Sequence, residues 1–261
     1  MDKIKIATPI SHLFQNLDNA KSIIDNSDIL ECRDYTIDSN YSDQELFHCD
    51  LQLIHPFSDT DYKLLKKIRD KKKNLKLISF HLASCYKYPK LVKHVFQPNG
   101  DKLSKKQLID NASKNINYIK DFFGPSVKIA VENNNYLKTE AYDYIADPEF
   151  ISSIVNENNI YFLFDISHAR ISSYNMKINY TEYISSLPLD KIIQIHMSRE
   201  LYRIDGEVYD AHEIPDINDI KEFKRLISKY QNIKYVTLEY YKDVDALNKF
   251  LINLKKIIDE K

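Results

Sequence analysis

The chain has very little glycine, no tryptophan and few cysteines. Its 261 residues include only three Gly and three Cys. A Gly-x-Gly-x-x-Gly turn or a Walker loop needs several closely spaced glycines, so phosphate binding through such a loop is excluded. The cysteines are odd in number and form no Cys-x-x-Cys pair, which is typical of a reducing compartment rather than of a disulfide-stabilised fold.

An excess of one charge and long apolar runs are also missing. There are 37 Lys and Arg against 38 Asp and Glu, which gives a formal net charge of −1. This balance lacks the basic footprint of a nucleic-acid binder, and no apolar run approaches the roughly 20 residues of a membrane helix. The first ten residues are too polar for a signal peptide. We therefore expect a cytoplasmic, soluble protein that binds neither nucleic acid nor membrane.

Short apolar runs alternate with longer amphipathic runs along the whole chain. The runs that predict strands are Lys3–Thr8, Asp28–Arg33, Leu51–His55, Leu75–His81, Val127–Glu132, Ile160–Asp165, Lys191–Met197 and Lys234–Glu239. The runs that predict helices are Asn16–Asn26, Tyr41–Phe47, Thr60–Lys72, Ser104–Phe123, Pro148–Asn158, Tyr180–Ser186, Ile217–Tyr230 and Asp243–Asp259. The strand runs are mostly continuous, as expected for parallel strands that are buried on both faces.

Eight β/α alternations in this length predict an α/β fold, a single (β/α)8 TIM barrel that spans residues 1–261 as one domain. A doubly wound sheet is the alternative, although it usually has fewer strands and a glycine-rich first turn. Three longer connections follow predicted strands and should lie over the catalytic face of the barrel. They are Cys85–Lys102, Ala169–Asn179 and Ser198–Asp216.

Six of the predicted strands end on a residue type that can bind a metal ion. These residues are His55, His81, Glu132, Asp165, His196 and Glu239. Burial removes the hydration of such groups, so they need partners. In a parallel barrel the carboxyl ends of the strands meet at one mouth, where these side chains would converge. Converging imidazoles and carboxylates without a competing Lys predict a divalent cation site.

Loop residues extend the predicted ligand set. His168 follows Asp165 by three residues, and Asp210 and His212 form an Asp-x-His pair whose spacing puts both on one side of an extended segment. Glu31 and Arg33 end the second predicted strand, where they either bind substrate or pair with each other. The remaining histidines have polar neighbours and are predicted to lie on the surface. They are His12, His48 and His94.

The order of these motifs resembles the xylose-isomerase-like TIM-barrel superfamily. That superfamily includes sugar phosphate isomerases and epimerases, endonuclease IV and multinuclear non-haem iron oxidases. The segments that carry the resemblance are VENNNY, FDISHA, IQIHMS, YDAHEIP and TLEYY, and the likeness extends over residues 51–241.

For the isomerases and epimerases, the resemblance implies one divalent ion held by a quartet of two glutamates, one aspartate and one histidine. The matching residues are Glu132, Asp165, His196 and Glu239. Glu132 and Glu239 would transfer a proton beside the carbonyl of a small sugar-like substrate, with His168 as a further catalytic group. The substrate contacts implied are Asn134, His81 and Arg199. A metal-dependent isomerase or epimerase is the leading functional expectation.

The other branches of the superfamily imply different chemistry at the same mouth. The iron oxidases use two or three iron ions and O2 to modify a cysteine-containing peptide, usually with a partner protein. An endonuclease IV-like enzyme would hydrolyse a phosphoester with two or three zinc ions. A metal-free barrel that serves as a binding scaffold is the non-enzymatic alternative. The resemblance therefore implies one to three divalent ions per chain and leaves Mn, Fe and Zn open.

Overall fold

A computed structural model of the chain describes residues 3–204 and 206–260 and contains a closed barrel of eight parallel strands. Four further strands within the described residues, β5, β6, β10 and β11, lie outside the barrel. All strands in chain order are β1 (Lys5–Pro9), β2 (Ile29–Arg33), β3 (Gln44–Cys49), β4 (Leu77–His81), β5 (Lys90–Val92), β6 (Val95–Gln97), β7 (Lys128–Glu132), β8 (Tyr161–Asp165), β9 (Ile192–Met197), β10 (Arg199–Tyr202), β11 (Val208–Glu213) and β12 (Tyr235–Leu238). Around the barrel the order is β1, β12, β9, β8, β7, β4, β3 and β2.

Eight α-helices within the described residues accompany the strands. They are α1 (Leu17–Asn26), α2 (Asp59–Lys71), α3 (Lys105–Phe123), α4 (Pro148–Glu157), α5 (Ile166–Asn175), α6 (Tyr180–Ser185), α7 (Ile217–Lys229) and α8 (Val244–Asp259). Together with the barrel they bury the main hydrophobic core. The predicted TIM-barrel fold is confirmed. None of the helices in residues 3–204 and 206–260 has the length and apolar character needed to span a bilayer.

A second, smaller core contains one buried residue from each barrel strand. It consists of Ala7, Ile29, Leu46, Leu77, Ala130, Leu163, Ile193 and Tyr235. Because side chains alternate along a strand, the residue two positions further on faces the same side. On six strands that next residue is polar and buried: Glu31, His48, Ser79, Glu132, Asp165 and Thr237. An apolar layer therefore underlies a polar layer at the carboxyl ends of the strands.

The third barrel strand differs from its prediction. The chain forms β3 over Gln44–Cys49, whereas Leu51–His55 is mainly a turn, so both the strand predicted there and the helix predicted over Tyr41–Phe47 are wrong. Asn115 of α3 holds that turn, because its side-chain Nδ2 donates to the carbonyl oxygens of Leu53 and His55 at 2.8 and 2.6 Å. The apolar residues of the turn therefore pack as a buried loop and not as a strand.

Two of the three long connections contain hairpins, and the third contains a helix. β5 and β6 pair within Cys85–Lys102, and β10 and β11 pair within Ser198–Asp216. The loop predicted over Ala169–Asn179 is wrong in its first part, because α5 continues from β8 to Asn175. All three segments follow the carboxyl ends of barrel strands.

Candidate metal centre

Glu132 lies at the centre of the polar layer. Its side chain is buried at the end of β7, opposite His81 in the strand register. Glu132 Oε2 is 2.7 Å from His81 Nδ1 and 3.5 Å from His48 Nε2. The Nε2 atoms of the two histidines are 2.7 Å apart, and the Nδ1 of His48 contacts the hydroxyl of Ser79 at 2.8 Å. His48, His81 and Glu132 thus form one group that could hold a metal ion.

The second oxygen of Glu132 faces a different set of groups. Glu132 Oε1 is 2.9 Å from His196 Nδ1, and this nitrogen is 3.5 Å from Glu239 Oε1. His196 lies opposite Asp165 in the register of β8 and β9. His196 and Glu239 therefore lie on the Oε1 side of the Glu132 carboxylate, and His48 and His81 lie on the Oε2 side. Asp165 forms a group of potential ligands with Glu132 and His168.

The Asp-x-x-His spacing has a local cause. Asp165 caps the amino terminus of α5, and its Oδ1 accepts a hydrogen bond from the backbone N–H of His168 at 2.6 Å. This cap turns the chain so that His168 is buried beside Glu132 and Asp165. The Nδ1 of His168 contacts the carbonyl oxygen of Asn133 at 2.9 Å, and a proton on that nitrogen leaves Nε2 as the ligand atom.

The Asp-x-His pair reaches the same mouth from β11. Asp210 Oδ2 is 3.5 Å from His168 Nε2 and 3.1 Å from His212 Nε2. His212 Nε2 is also 3.4 Å from Glu239 Oε2. Glu239 therefore extends one oxygen towards His196 and the other towards His212, in the way that Glu132 joins its two neighbouring groups.

The imidazoles and carboxylates shift one another's protonation. Burial raises the pKa of the Glu132 carboxyl, but the charges of His81, His48 and His168 together with the contact to His196 hold that pKa well below its ordinary value. Burial lowers the pKa of His196, yet Glu239 and Glu31 raise it well above its ordinary value. Burial, only partly offset by His168, raises the pKa of Asp165 to about 7. Protons bound here are ones that a divalent cation would displace.

The residues present fit a cation. Both oxygens of Glu132, Oδ2 of Asp165 and Nδ1 of His196 are buried without a hydrogen-bond partner among the described residues. Two ligand atoms about 2.1 Å from one ion lie about 3 Å apart, which is the spacing found between Glu132 and the Nδ1 atoms of His81 and His196. Short distances without hydrogen-bond geometry are what lone pairs aimed at a common ion produce.

His55 is the predicted ligand that the structure does not bring to this centre. Its Nε2 contacts the carbonyl oxygen of Ser84 at 2.8 Å, in the buried turn that follows β3. His48 occupies the position at the end of β3 that the sequence assigned to His55. The prediction that His48 lies on the surface is wrong, since it is fully buried, whereas His12 and His94 are exposed as predicted.

Two predicted substrate contacts have other partners. The side chain of Asn134 is buried, and its Nδ2 donates to the carbonyl oxygen of Leu82 at 3.0 Å. Arg199 begins β10 and lines a separate cavity of 570 Å³ together with Arg170 and Glu200.

Cavities flank the centre on two sides. A cavity of 790 Å³ is lined by Arg33, Tyr35, Tyr241 and His212, among others. A second cavity of 540 Å³ is lined by Asp210, His212 and residues of the hairpins. Because His212 borders both cavities, a substrate can approach the potential metal-binding residues from either side.

Comparison in sequence finds both a matching protein family and curated relatives. A family model described as RiPP precursor modification enzyme MbnB/TglH/ChrH matches residues 54–260. A curated relative from Vibrio parahaemolyticus, a UPF0276 protein, is 24% identical over 149 residues, which are 55% of this chain and 50% of that protein. The chain thus spans about half the length of that curated relative.

Solved structures share the fold at low sequence identity. The 3-keto-D-glucoside 4-epimerase from E. coli has a TM-score of 0.59 at 14% identity, with 98% of this chain and 99% of that chain covered. A xylose isomerase-like TIM-barrel protein from Mycobacterium smegmatis, solved in complex with magnesium, has a TM-score of 0.59 at 9% identity, with 98% and 97% covered. These structures show that the chain shares their TIM-barrel fold, as predicted.

Proposed function

The chain belongs to the MbnB/TglH/ChrH family of RiPP precursor modification enzymes, and on that premise we propose that it is a multinuclear iron oxidase which modifies a cysteine-containing peptide. A RiPP precursor is a ribosomally made peptide that enzymes later modify. The family supports a peptide substrate, and the side chains at the barrel mouth support more than one metal ion.

One observation carries the proposal: Glu132 belongs to two groups of potential ligands, one with His48 and His81 and the other with Asp165 and His168. A carboxylate with one oxygen towards His48 and His81 and the other towards His196 can bridge two ions. A mononuclear sugar isomerase needs only the quartet to hold its ion, so the neighbouring histidine pair would have no metal to bind. Imidazole nitrogens 2.7 Å apart, one of them on the fully buried His48, are costly without a proton or an ion between them.

Each ion would have its own set of ligands from this chain. The first would be held by His48, His81 and Glu132, and the second by Glu132, Asp165, His196 and Glu239. The Asp-x-His pair with His168 supplies groups for a third. Imidazole and carboxylate ligands suit ferrous iron, which when bound would supply the electrons for reaction with O2.

The cavities support a peptide in preference to a small sugar. The two cavities, of 790 and 540 Å³, both have His212 in their lining, so an extended peptide could occupy one on each side of that residue. A single hexose fills only a fraction of such a space. The first cavity carries Tyr35, Tyr41 and Tyr241, whose rings can pack against peptide side chains.

The test loads the metal-free protein with Fe2+ under anaerobic conditions and then adds O2 and short cysteine-containing peptides, chosen from any such reading frame that sequencing finds beside the gene. We expect at least two iron ions per chain by elemental analysis and a mass change of the peptide that requires both iron and O2. A peptide in which each Cys is replaced by Ser is the matched control and should remain unmodified. An unmodified cysteine peptide with a fully loaded enzyme would contradict the proposal.

A sugar epimerase is the second candidate, because the quartet of Glu132, Asp165, His196 and Glu239 also suits a single divalent ion. In that case one Mn2+ or Mg2+ per chain would suffice, and Glu132 and Glu239 would exchange a proton with the carbon next to a carbonyl. Incorporation of deuterium from D2O into a ketose substrate would favour this candidate. Two or three zinc ions with phosphoester hydrolysis would instead favour the hydrolase alternative.

A further inference from the structure

We propose that Glu31 positions His196 for metal binding without itself being a ligand. The inference rests on the proposed metal centre and adds a residue to it. By distance alone, Glu31, His196 and Glu239 form a group that could hold an ion. The hydrogen bonds of Glu31 argue for a different role.

Both oxygens of Glu31 already accept hydrogen bonds from the protein. Oε1 accepts from Arg33 Nη2 at 2.9 Å. Oε2 accepts from Gln194 Nε2 at 2.6 Å and from Thr237 Oγ1 at 3.1 Å, and it also lies 3.1 Å from His196 Nε2. The side chain is fully buried. An ion on Glu31 would have to displace these donors, whereas both oxygens of Glu132 lack such partners among the described residues.

The two nitrogens of His196 have different surroundings. Nε2 lies 3.1 Å from Gln194 Nε2 and 3.1 Å from Glu31 Oε2, the acceptor that keeps the proton of the neutral ring on this nitrogen. Nδ1 then carries the lone pair and lies 2.9 Å from Glu132 Oε1 and 3.5 Å from Glu239 Oε1. Nδ1 has no hydrogen-bond partner within the described residues, so it is the atom available to an ion.

A carboxylate on the far nitrogen of a ligating histidine has a known physical effect. It fixes the tautomer and the ring orientation and makes the ligating nitrogen a stronger donor. Arg33 connects Glu31 with a second proposed ligand, because its Nη2 donates to Glu31 Oε1 and also contacts Glu239 Oε1. Glu31 and Arg33 therefore orient two of the proposed ligands, His196 and Glu239, from strand β2.

The experiment compares wild type with Glu31→Gln by titrating metal-free protein with Co2+ and following its visible absorption. The amide keeps the size of the side chain but removes the charge that orients His196. We expect the same number of ions per chain at saturation, with one of them bound about 10- to 100-fold more weakly. Thr237→Val, which removes one donor to Glu31 at nearly constant volume, should weaken the same ion to a smaller extent.

Each other outcome has a defined meaning. Loss of one Co2+ per chain at saturation would make Glu31 a ligand, and unchanged affinity with only a lower melting temperature would make its role structural; either result overturns the inference. Glu45→Gln is the matched control, since Glu45 pairs with Lys5 at the opposite end of the barrel. Failure of wild type to bind two Co2+ would count against the proposed function, a result separate from the effect of Glu31→Gln.

Discussion

Glu132→Gln is expected to abolish activity and to reduce the metal content from at least two ions per chain to fewer than one. Glu132 is the residue that both ligand groups share, so a neutral amide weakens two ions at once. Because bound metal contributes several kcal/mol to the reaction, activity should fall by about 1,000-fold or more. Elemental analysis after anaerobic loading, together with the peptide-modification assay, measures both effects.

Glu45→Gln serves as the control for this variant. It removes one carboxylate from the amino-terminal end of the barrel, where Glu45 contacts Lys5, and should leave metal content unchanged. If Glu132→Gln retained two ions and full activity, Glu132 could not be the bridging residue and the proposed centre would be wrong.

His48→Gln and His55→Gln are expected to have opposite results, although the two histidines are only seven residues apart. His48→Gln replaces an imidazole next to His81 and Glu132, so the ion of that group and the activity should both be lost. His55→Gln changes a side chain whose contact is the carbonyl oxygen of Ser84, so metal content should stay as in wild type. Its expected cost is confined to stability, at about 1 to 2 kcal/mol.

The number of iron ions per chain and the urea concentration at the midpoint of unfolding distinguish these two variants. Loss of an ion in His55→Gln with full metal content in His48→Gln would restore the interpretation based on sequence alone. It would then require the segment after β3 to rearrange in the loaded protein.

Most strands and their polar ends could be predicted because parallel barrel strands leave a strong pattern. The segment from Ile129 to Val131 is continuously apolar and leads directly to Glu132, as expected for a strand that is buried on both faces and ends at the mouth of the barrel. The same pattern identified the strands that end on His81 and Asp165. In each case the polar side chain lies at the mouth because the strands are parallel and end at the same level.

The third strand could not be predicted in the same way because a stronger apolar run follows it. The segment from Leu51 to His55 also ends on a histidine, but it forms a turn held by Asn115. Side chains alternate along a strand with a period of two residues, and this alternation is the signal that identifies β3 in the sequence. His48 follows Leu46 of the inner apolar layer by two residues, as Glu31 follows Ile29.

Helix α5 was missed because it has no apolar stripe to detect. Its buried residues are a mixture of polar and apolar ones, so hydrophobicity does not mark its buried face: Ile166, Ser167, His168, Ala169, Ile171, Ser172 and Ser173. The helix depends on its cap at Asp165 and on tertiary contacts, such as the hydrogen bond from Ser172 Oγ to the Asn134 carbonyl oxygen. The spacing of apolar residues along the sequence does not reveal contacts of this kind.

The contact between Glu31 and His196 was also beyond sequence reasoning. The two residues are 165 positions apart on β2 and β9, which are not adjacent in the barrel. Their contact exists because the closed barrel directs both side chains to its interior. Sequence suggested only that Glu31 either binds substrate or pairs with Arg33, and the pairing is present.

The most direct test of the central claim is a crystal structure of the iron-loaded protein with anomalous scattering measured at the iron absorption edge. The account predicts at least two peaks, one beside His48 and His81 and another among Asp165, His196 and Glu239, with the carboxylate of Glu132 between them. A single peak within the quartet, with no peak beside His48 and His81, would contradict it.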